Sequence, residues 1–158
     1  MLYVLDEPSI GLHPANLVGL TRVMEDLVAD GNSVLLVDHD TQVLAQADWL
    51  LELGPRAGAA GGQVIAQGTV EDLGRNPASQ IGPSSPGRPG CRSASRRGGG
   101  PLCQGEAPPV HRGPSTRVKP LEVDLPKGRL TVVTGVSGSG KTTLILESLL
   151  PALEAAAA

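Results

Sequence analysis

Eight residues, Gly135-Val136-Ser137-Gly138-Ser139-Gly140-Lys141-Thr142, constrain the fold of this chain more than any other stretch. They satisfy the pattern GxxxxGK[ST] at every fixed position. The apolar run Leu130-Thr131-Val132-Val133 precedes them and reads as a strand. Lys141 to Leu149 follows, with Leu144, Ile145 and Leu149 apolar, and reads as a helix. Strand, glycine-rich turn and helix in that order are the setting in which such a loop cradles phosphate. Glycines let the backbone approach an anion closely, and successive N–H groups then converge on its oxygens. The helix start adds a positive dipole end. Lys141 supplies a cation for the β- and γ-phosphates, and the Thr142 hydroxyl suits Mg²⁺. The candidate nucleotide-binding residues are therefore Gly135, Ser137, Gly138, Ser139, Gly140, Lys141, Thr142 and Thr143.

The amino-terminal region, residues 1–73, has the alternation of a parallel α/β unit. Leu2-Tyr3-Val4-Leu5 is a short apolar run that stops at Asp6-Glu7, as a buried parallel strand would. Leu17, Leu20, Met24, Leu27 and Val28 fall at helical spacing, with Pro14 near the start and Gly31 at the end. Ser33 to Val37 is a second buried strand, closing on Asp38-His39-Asp40. A short helix is expected over Thr41–Ala47. Trp49–Leu53 and Gln63–Ala66 read as strands joined by a glycine-rich turn at Gly58 to Gly62. Strand, helix, strand with short links implies parallel pairing.

Two sites of chemistry follow. Asp6 ends a strand at the sheet's carboxyl edge, where ligands bind in open α/β sheets, and could hold Mg²⁺ through water. Glu7 could polarise a water attacking the γ-phosphate. His39 ends the second strand, and a neutral imidazole there could reach the γ-phosphate or orient that water. Glu7 and His39 are the candidate catalytic residues, and Asp6 with Thr142 the candidate metal pair. His13 and His111 have no comparable placement.

Between these regions the composition changes. Residues 82–114 hold 15 Gly or Pro, five arginines (Arg88, Arg92, Arg96, Arg97, Arg112) and one acid, Glu106. With little apolar surface to bury, residues 74–117 are predicted to be a disordered linker. The alternative is a basic arm on DNA phosphates. Cys91 and Cys103 lie in no CxxC pair and have no histidine at ligand spacing, so no zinc site is predicted. The chain has no Phe, one Trp and one Tyr, so any core is aliphatic. A net charge of −3 argues against a wholly basic nucleic-acid binder. No apolar run is long enough for a membrane span and no leader pattern opens the chain; the reading is a soluble, cytoplasmic protein with no membrane partner.

Four strings together resemble one family. LDEPSIGLHP (Leu5 to Pro14) resembles the Walker B motif and D-loop of UvrA proteins, the ABC-type ATPase subunit of the excinuclease. VDHD (Val37 to Asp40) resembles their switch-histidine loop. ADWLLELGPRAGAAGGQVIAQGT (Ala47 to Thr69) resembles the segment after it, and VVTGVSGSGKTTL (Val132 to Leu144) the Walker A motif of the second cassette. The resemblance implies an α/β, partial P-loop NTPase fold, ABC ATPase-like, with residues 118–154 starting a second cassette. It implies ATP and Mg²⁺ as ligands, and ATP-dependent recognition of damaged duplex DNA in nucleotide excision repair, with transfer to UvrB and self-association.

The order of motifs departs from one cassette. Walker B and the histidine precede Walker A, no LSGG-like signature is present, and the zinc modules of the family are missing. Family order places Asp6, Glu7 and His39 at the end of one cassette and Lys141 and Thr142 at the start of the next, where they would serve different nucleotides. The pattern is that of a truncated or frameshifted product, one that binds ATP with little or no hydrolysis to ADP and phosphate. A second arrangement has the halves docking as a permuted small cassette. A third reading is a DNA- or partner-binding remnant using the basic linker, without nucleotide chemistry.

Overall fold

The computed structural model describes residues 1–58, 61–81, 123, 125–151 and 154. The linker reading, with its arginines, Cys91 and Cys103, falls mostly on residues 82–122, outside the described residues. Among the described residues five strands form one sheet: β1 (Leu2–Asp6), β2 (Ser33–Val37), β3 (Trp49–Gly54), β4 (Gln63–Gly68) and β5 (Leu130–Gly135). Helix α1 (Pro14–Ala29) joins β1 to β2, α2 (Thr41–Leu44) precedes β3, and α3 (Val70–Arg75) follows β4. After β5 the chain makes an α-helical turn, α4 (Lys141–Thr143), which widens into a π-helical stretch, Leu144–Leu149.

Strand order is β1-β2-β5-β3-β4. The β1–β2, β2–β5 and β5–β3 pairings are parallel, and only β3–β4 is antiparallel. Strand β5, last in sequence, therefore lies at the centre. Asp48 fixes its start: its carboxylate accepts from Leu130 N (2.9 Å) and its own N–H donates to Leu130 O (2.9 Å).

Alternate residues of the central strands face opposite sides. Val34, Leu36, Leu50 and Val132 pack with Leu17 and Met24 of α1, Val43 and Leu44 of α2, and Leu73 of α3. Leu35, Val37, Leu51, Leu53 and Val133 pack with Leu144, Ile145 and Leu149 beyond the glycine-rich loop. Helices cover both faces, which explains why the central strands read as unbroken apolar runs. Among the described residues no helix is long and apolar enough to cross a membrane.

Helix α1 begins as the sequence suggests, with Pro14 in its first turn, and His13 caps it by accepting from Ala15 N through Nδ1 at 3.2 Å. Its end closes on Gly31 (φ 83), where Asn32 N donates to Leu27 O and Gly31 N to Val28 O. That paired closure is the Schellman arrangement that favours glycine.

Two boundaries differ from the sequence reading. The amino-terminal region does not stop at Leu73, because α3 runs to Arg75 and Ser79 and Gln80 are tied back to β3. The cause is a capping box: Asp72 N donates to Thr69 Oγ1 (3.2 Å) and Thr69 N to Asp72 Oδ2 (3.0 Å). The helix after the loop also continues past Leu149 through Pro151, whose fixed φ is compatible with a helix even though its ring nitrogen donates nothing.

The Thr69 side-chain and backbone hydrogen bonds hold the Asp72 carboxyl below its ordinary value. A carboxyl depressed in the folded state contributes stability above its unfolded value, near 3.8, and loses it as pH falls through the lower folded value. Thr69→Ala is expected to cost about 1 kcal/mol at neutral pH. Asp72→Asn is expected to flatten the acid limb of stability below pH 4, measured as urea midpoint against pH.

Candidate functional site

The glycine-rich loop leaves the carboxyl end of the central strand, with its first residue still in the ladder. Gly135 pairs with Leu53 of β3 at φ 135, and a Cβ there would lie 2.0 Å from Leu53 O. No other residue type fits that position. Gly138 and Gly140 also hold positive φ, 74 and 95. Ser139 N donates to Val136 O (3.1 Å), closing a tight turn, and Ser139 itself is buried with no partner for its hydroxyl among the described residues. Ser137 and Gly138 are exposed, while Gly140 and Thr143 are half-buried.

Lys141 is 7% exposed, and its Nζ donates to the carbonyls of Gly135 (3.0 Å) and Val136 (3.2 Å). The side chain thus arches back over the loop, with its cation on the loop's first two carbonyls. Thr142, exposed in the first turn of α4, donates through Oγ1 to the Asp6 carboxylate, at 3.3 Å to Oδ2 and 3.4 Å to Oδ1. The candidate metal pair, 136 residues apart in sequence, is thereby brought together.

Glu7 follows on the same sheet edge. It is the one non-glycine residue with positive φ (47) among the described residues, and its N–H donates to Val37 O at 2.8 Å. Left-handed backbone in such a residue costs about 1–2 kcal/mol, so the surrounding structure must impose it. His39 is exposed at the end of β2, and its imidazole makes no hydrogen bond to a described residue. Asp6 and the loop therefore meet directly, while Glu7 and His39 stand on the same edge without touching the loop through hydrogen bonds.

Asp38, which the sequence marked only as a neighbour of His39, organises that edge. It is fully buried, and its carboxylate accepts from Ser9 N (3.2 Å), Ser9 Oγ (2.6 Å), His39 N (2.7 Å) and Asp40 N (3.0 Å). One carboxylate thus ties the turn after β1 to the turn after β2. An acid directly ending a buried apolar strand was the available signal.

The chain is 39% identical over 155 residues to UvrABC system protein A of Mycoplasmopsis pulmonis, covering 98% of this chain and 16% of that protein. It is 42% identical over 149 residues to the Aquifex aeolicus protein of the same name, covering 94% of this chain and 16% of the relative. It is 40% identical over 155 residues to the one from Thermus thermophilus, with 97% and 16% covered. This chain is homologous to a segment of UvrA. It spans about a sixth of the length of the UvrA relatives it matches. The crystal structure of UvrA2 from Deinococcus radiodurans superposes with a TM-score of 0.51 at 40% identity, covering 99% of this chain and 18% of that one. No protein-family model matches. The UvrA likeness in sequence and structure confirms the fold expected above: a partial, ABC ATPase-like α/β fold, mostly parallel, with flanking helices.

The site's donors fit a magnesium nucleotide. The loop curves through glycines at positive φ, a backbone that side chains rarely adopt, and at Gly135 an added Cβ would clash with Leu53 O. Asp6 and Thr142 present oxygen atoms, the ligand type a hard divalent cation takes. Asp6 and Thr142 would hold such a cation together with phosphate and water oxygens. Among the described residues, no three His, Cys, Asp or Glu side chains come together as a protein-only metal cage.

Proposed function

We propose that this UvrA homologue binds ATP with Mg²⁺ at the Gly135–Thr142 loop and that Asp6 serves the same nucleotide. The observation carrying this reading is the Thr142–Asp6 contact at 3.3 Å, at the mouth of a glycine loop whose lysine is already turned over it. Lys141 neutralises the β- and γ-phosphates, and the amides of the first turn of α4, which have no intrahelical partner, bind their oxygens. Gly135, Ser137, Gly138, Ser139, Gly140 and Thr143 complete the cradle. Mg²⁺ supplies charge neutralisation at the phosphates when bound, and Thr142 and Asp6 hold it, Asp6 through water.

Glu7 is the proton acceptor for an attacking water and His39 its positioning partner. Turnover is low or nil in this chain alone, because no LSGG-like signature is present to close the site. By homology the nucleotide chemistry belongs to recognition of damaged duplex DNA in nucleotide excision repair in the cytoplasm, with UvrB and further copies of the chain as partners.

Lys141→Ala tests the reading. Losing a charge-assisted contact of about 1.5–3 kcal/mol weakens Mg-ATP binding by roughly 10- to 100-fold, read by calorimetric titration. Equal affinity in wild type and Lys141→Ala would exclude the loop as the site. Glu7→Gln is expected to leave ATP affinity within about twofold and to remove residual phosphate release by 10²-fold or more, roughly the share of a general base.

A further inference from the structure

The glycine-rich loop has a second layer that the motif does not include. Gly58 N donates to Gly138 O at 3.2 Å, and Gly62 N donates to Ser139 O at 2.9 Å. Both donors belong to the link between β3 and β4. Gly61, between them in this layer, packs so closely that an added Cβ would lie 2.4 Å from Arg56 O and 3.3 Å from Ser139 Cα. A Cβ on Gly138 would in turn meet the Ala57 side chain at 3.3 Å. The base of this link is anchored as well: Gln80 Nε2 donates to Pro55 O (3.1 Å), and Glu52, buried in β3, accepts from Gln80 N (2.8 Å) and Ser79 Oγ (2.6 Å).

The consequence for phosphate binding follows from peptide geometry. In a planar trans peptide the C=O and N–H point in opposite directions. Holding Ser139 C=O on Gly62 N–H therefore aims the Gly140 N–H away from the β3–β4 link, toward the inside of the loop. Holding Gly138 C=O on Gly58 N–H aims the Ser139 N–H the same way, where it meets Val136 O and closes the turn. Among the described residues no hydrogen bond within the loop engages the Ser139–Gly140 peptide; the bond from Gly62 does.

We propose that Gly58, Gly61 and Gly62 are positioning residues for the phosphate cradle: the β3–β4 link holds the Ser139–Gly140 peptide in the orientation that presents the Gly140 N–H to phosphate. This deepens the ATP-binding reading and rests on it. The role requires small residues, because the link's backbone, not its side chains, makes the contact. Coupling of this kind is reciprocal: bound nucleotide must strengthen the Gly62–Ser139 bond by the factor by which that bond strengthens binding.

The experiment uses the full chain, ¹⁵N-labelled, with Mg-ATP as the probe. Gly61→Ala drives a Cβ into Arg56 O (2.4 Å) within the link and crowds Ser139 Cα (3.3 Å), so the link must shift, whereas Gly31→Ala, at the end of α1, adds a Cβ with nothing within 4 Å and serves as a control for left-handed backbone strain at φ 83. Gly61→Ala is expected to weaken Mg-ATP binding about tenfold and to abolish the ATP-induced shift of the Gly140 amide resonance. Gly31→Ala is expected to retain both the affinity and that shift. Wild-type affinity and an intact Gly140 shift in Gly61→Ala would overturn the proposal.

Hydrogen exchange on the unmutated chain provides a test that does not depend on a folded variant. The Gly62 amide is expected to exchange about tenfold more slowly at saturating Mg-ATP. An unchanged rate with ATP bound would equally overturn the proposal. If the wild-type chain binds no ATP, the function proposed above fails; if ATP binds through Lys141 and these results are negative, only the positioning role fails.

Discussion

Gly135→Ala is expected to destabilise the fold by about 3 kcal/mol or more and to abolish nucleotide binding. The added methyl would lie 2.0 Å from Leu53 O and 2.9 Å from the Leu53 carbonyl carbon, backbone atoms that cannot turn aside as a side chain could. The residue also sits at φ 135, a conformation that favours glycine. Relief requires pulling β5 from β3 at the point where the loop begins. Trp49, the only tryptophan, pairs with Thr131 across that seam, so urea unfolding followed by its fluorescence reports the loss directly. A variant with wild-type midpoint and wild-type ATP affinity would show that the Gly135–Leu53 pairing is not as close as described.

Asp38→Ala is the second large effect. It leaves Ser9 N, Ser9 Oγ, His39 N and Asp40 N without their acceptor at a fully buried position. A cost of about 2–4 kcal/mol is expected, since four hydrogen bonds to a fully buried carboxylate are lost and their part-buried donors have no replacement acceptor beneath them. Asp38→Asn keeps the shape but turns two N–H donors toward a shell of donors, so it recovers less than half of the loss. The urea midpoints of the two variants measure this. A change under about 0.5 kcal/mol in Asp38→Ala would place the residue among ordinary surface positions.

Much of the fold was legible because burial on both faces writes continuous apolar runs. Ser33–Val37 and Leu130–Val133 were readable as strands for that reason, Leu2–Leu5 as a half-buried edge run closed by Asp6-Glu7, and the α1 boundaries because Pro14 and Gly31 act locally. The position of β5 was not readable. Its insertion between β2 and β3 depends on contacts such as Asp48 to Leu130, between residues 82 apart in sequence, which no local pattern encodes. Helix α3 carried a legible signal, Thr69 followed three residues later by Asp72, that a boundary drawn by composition passes over.

The candidate site divides the same way. The phosphate loop shows in sequence because its chemistry needs particular residue types in a fixed order. The supporting contacts of Gly58 and Gly62 do not, because they are backbone bonds from a glycine-rich stretch that reads only as a turn. Asp38 lay in plain view but looked like one of two acids flanking a histidine, since burial is invisible in a tripeptide. The family motif order pointed to two separate nucleotides for Asp6 and Lys141; the sheet instead sets Asp6 against Thr142.

The most direct test of that juxtaposition is a double-mutant cycle on Mg-ATP affinity with Asp6→Ala, Thr142→Ala and the double variant, each titrated at several protein concentrations. If both residues serve one nucleotide within one chain, the double variant loses little more than the worse single, a coupling of about 1 kcal/mol or more that is independent of protein concentration. Additive losses, or coupling that appears only as the chain is concentrated, would contradict a single shared site.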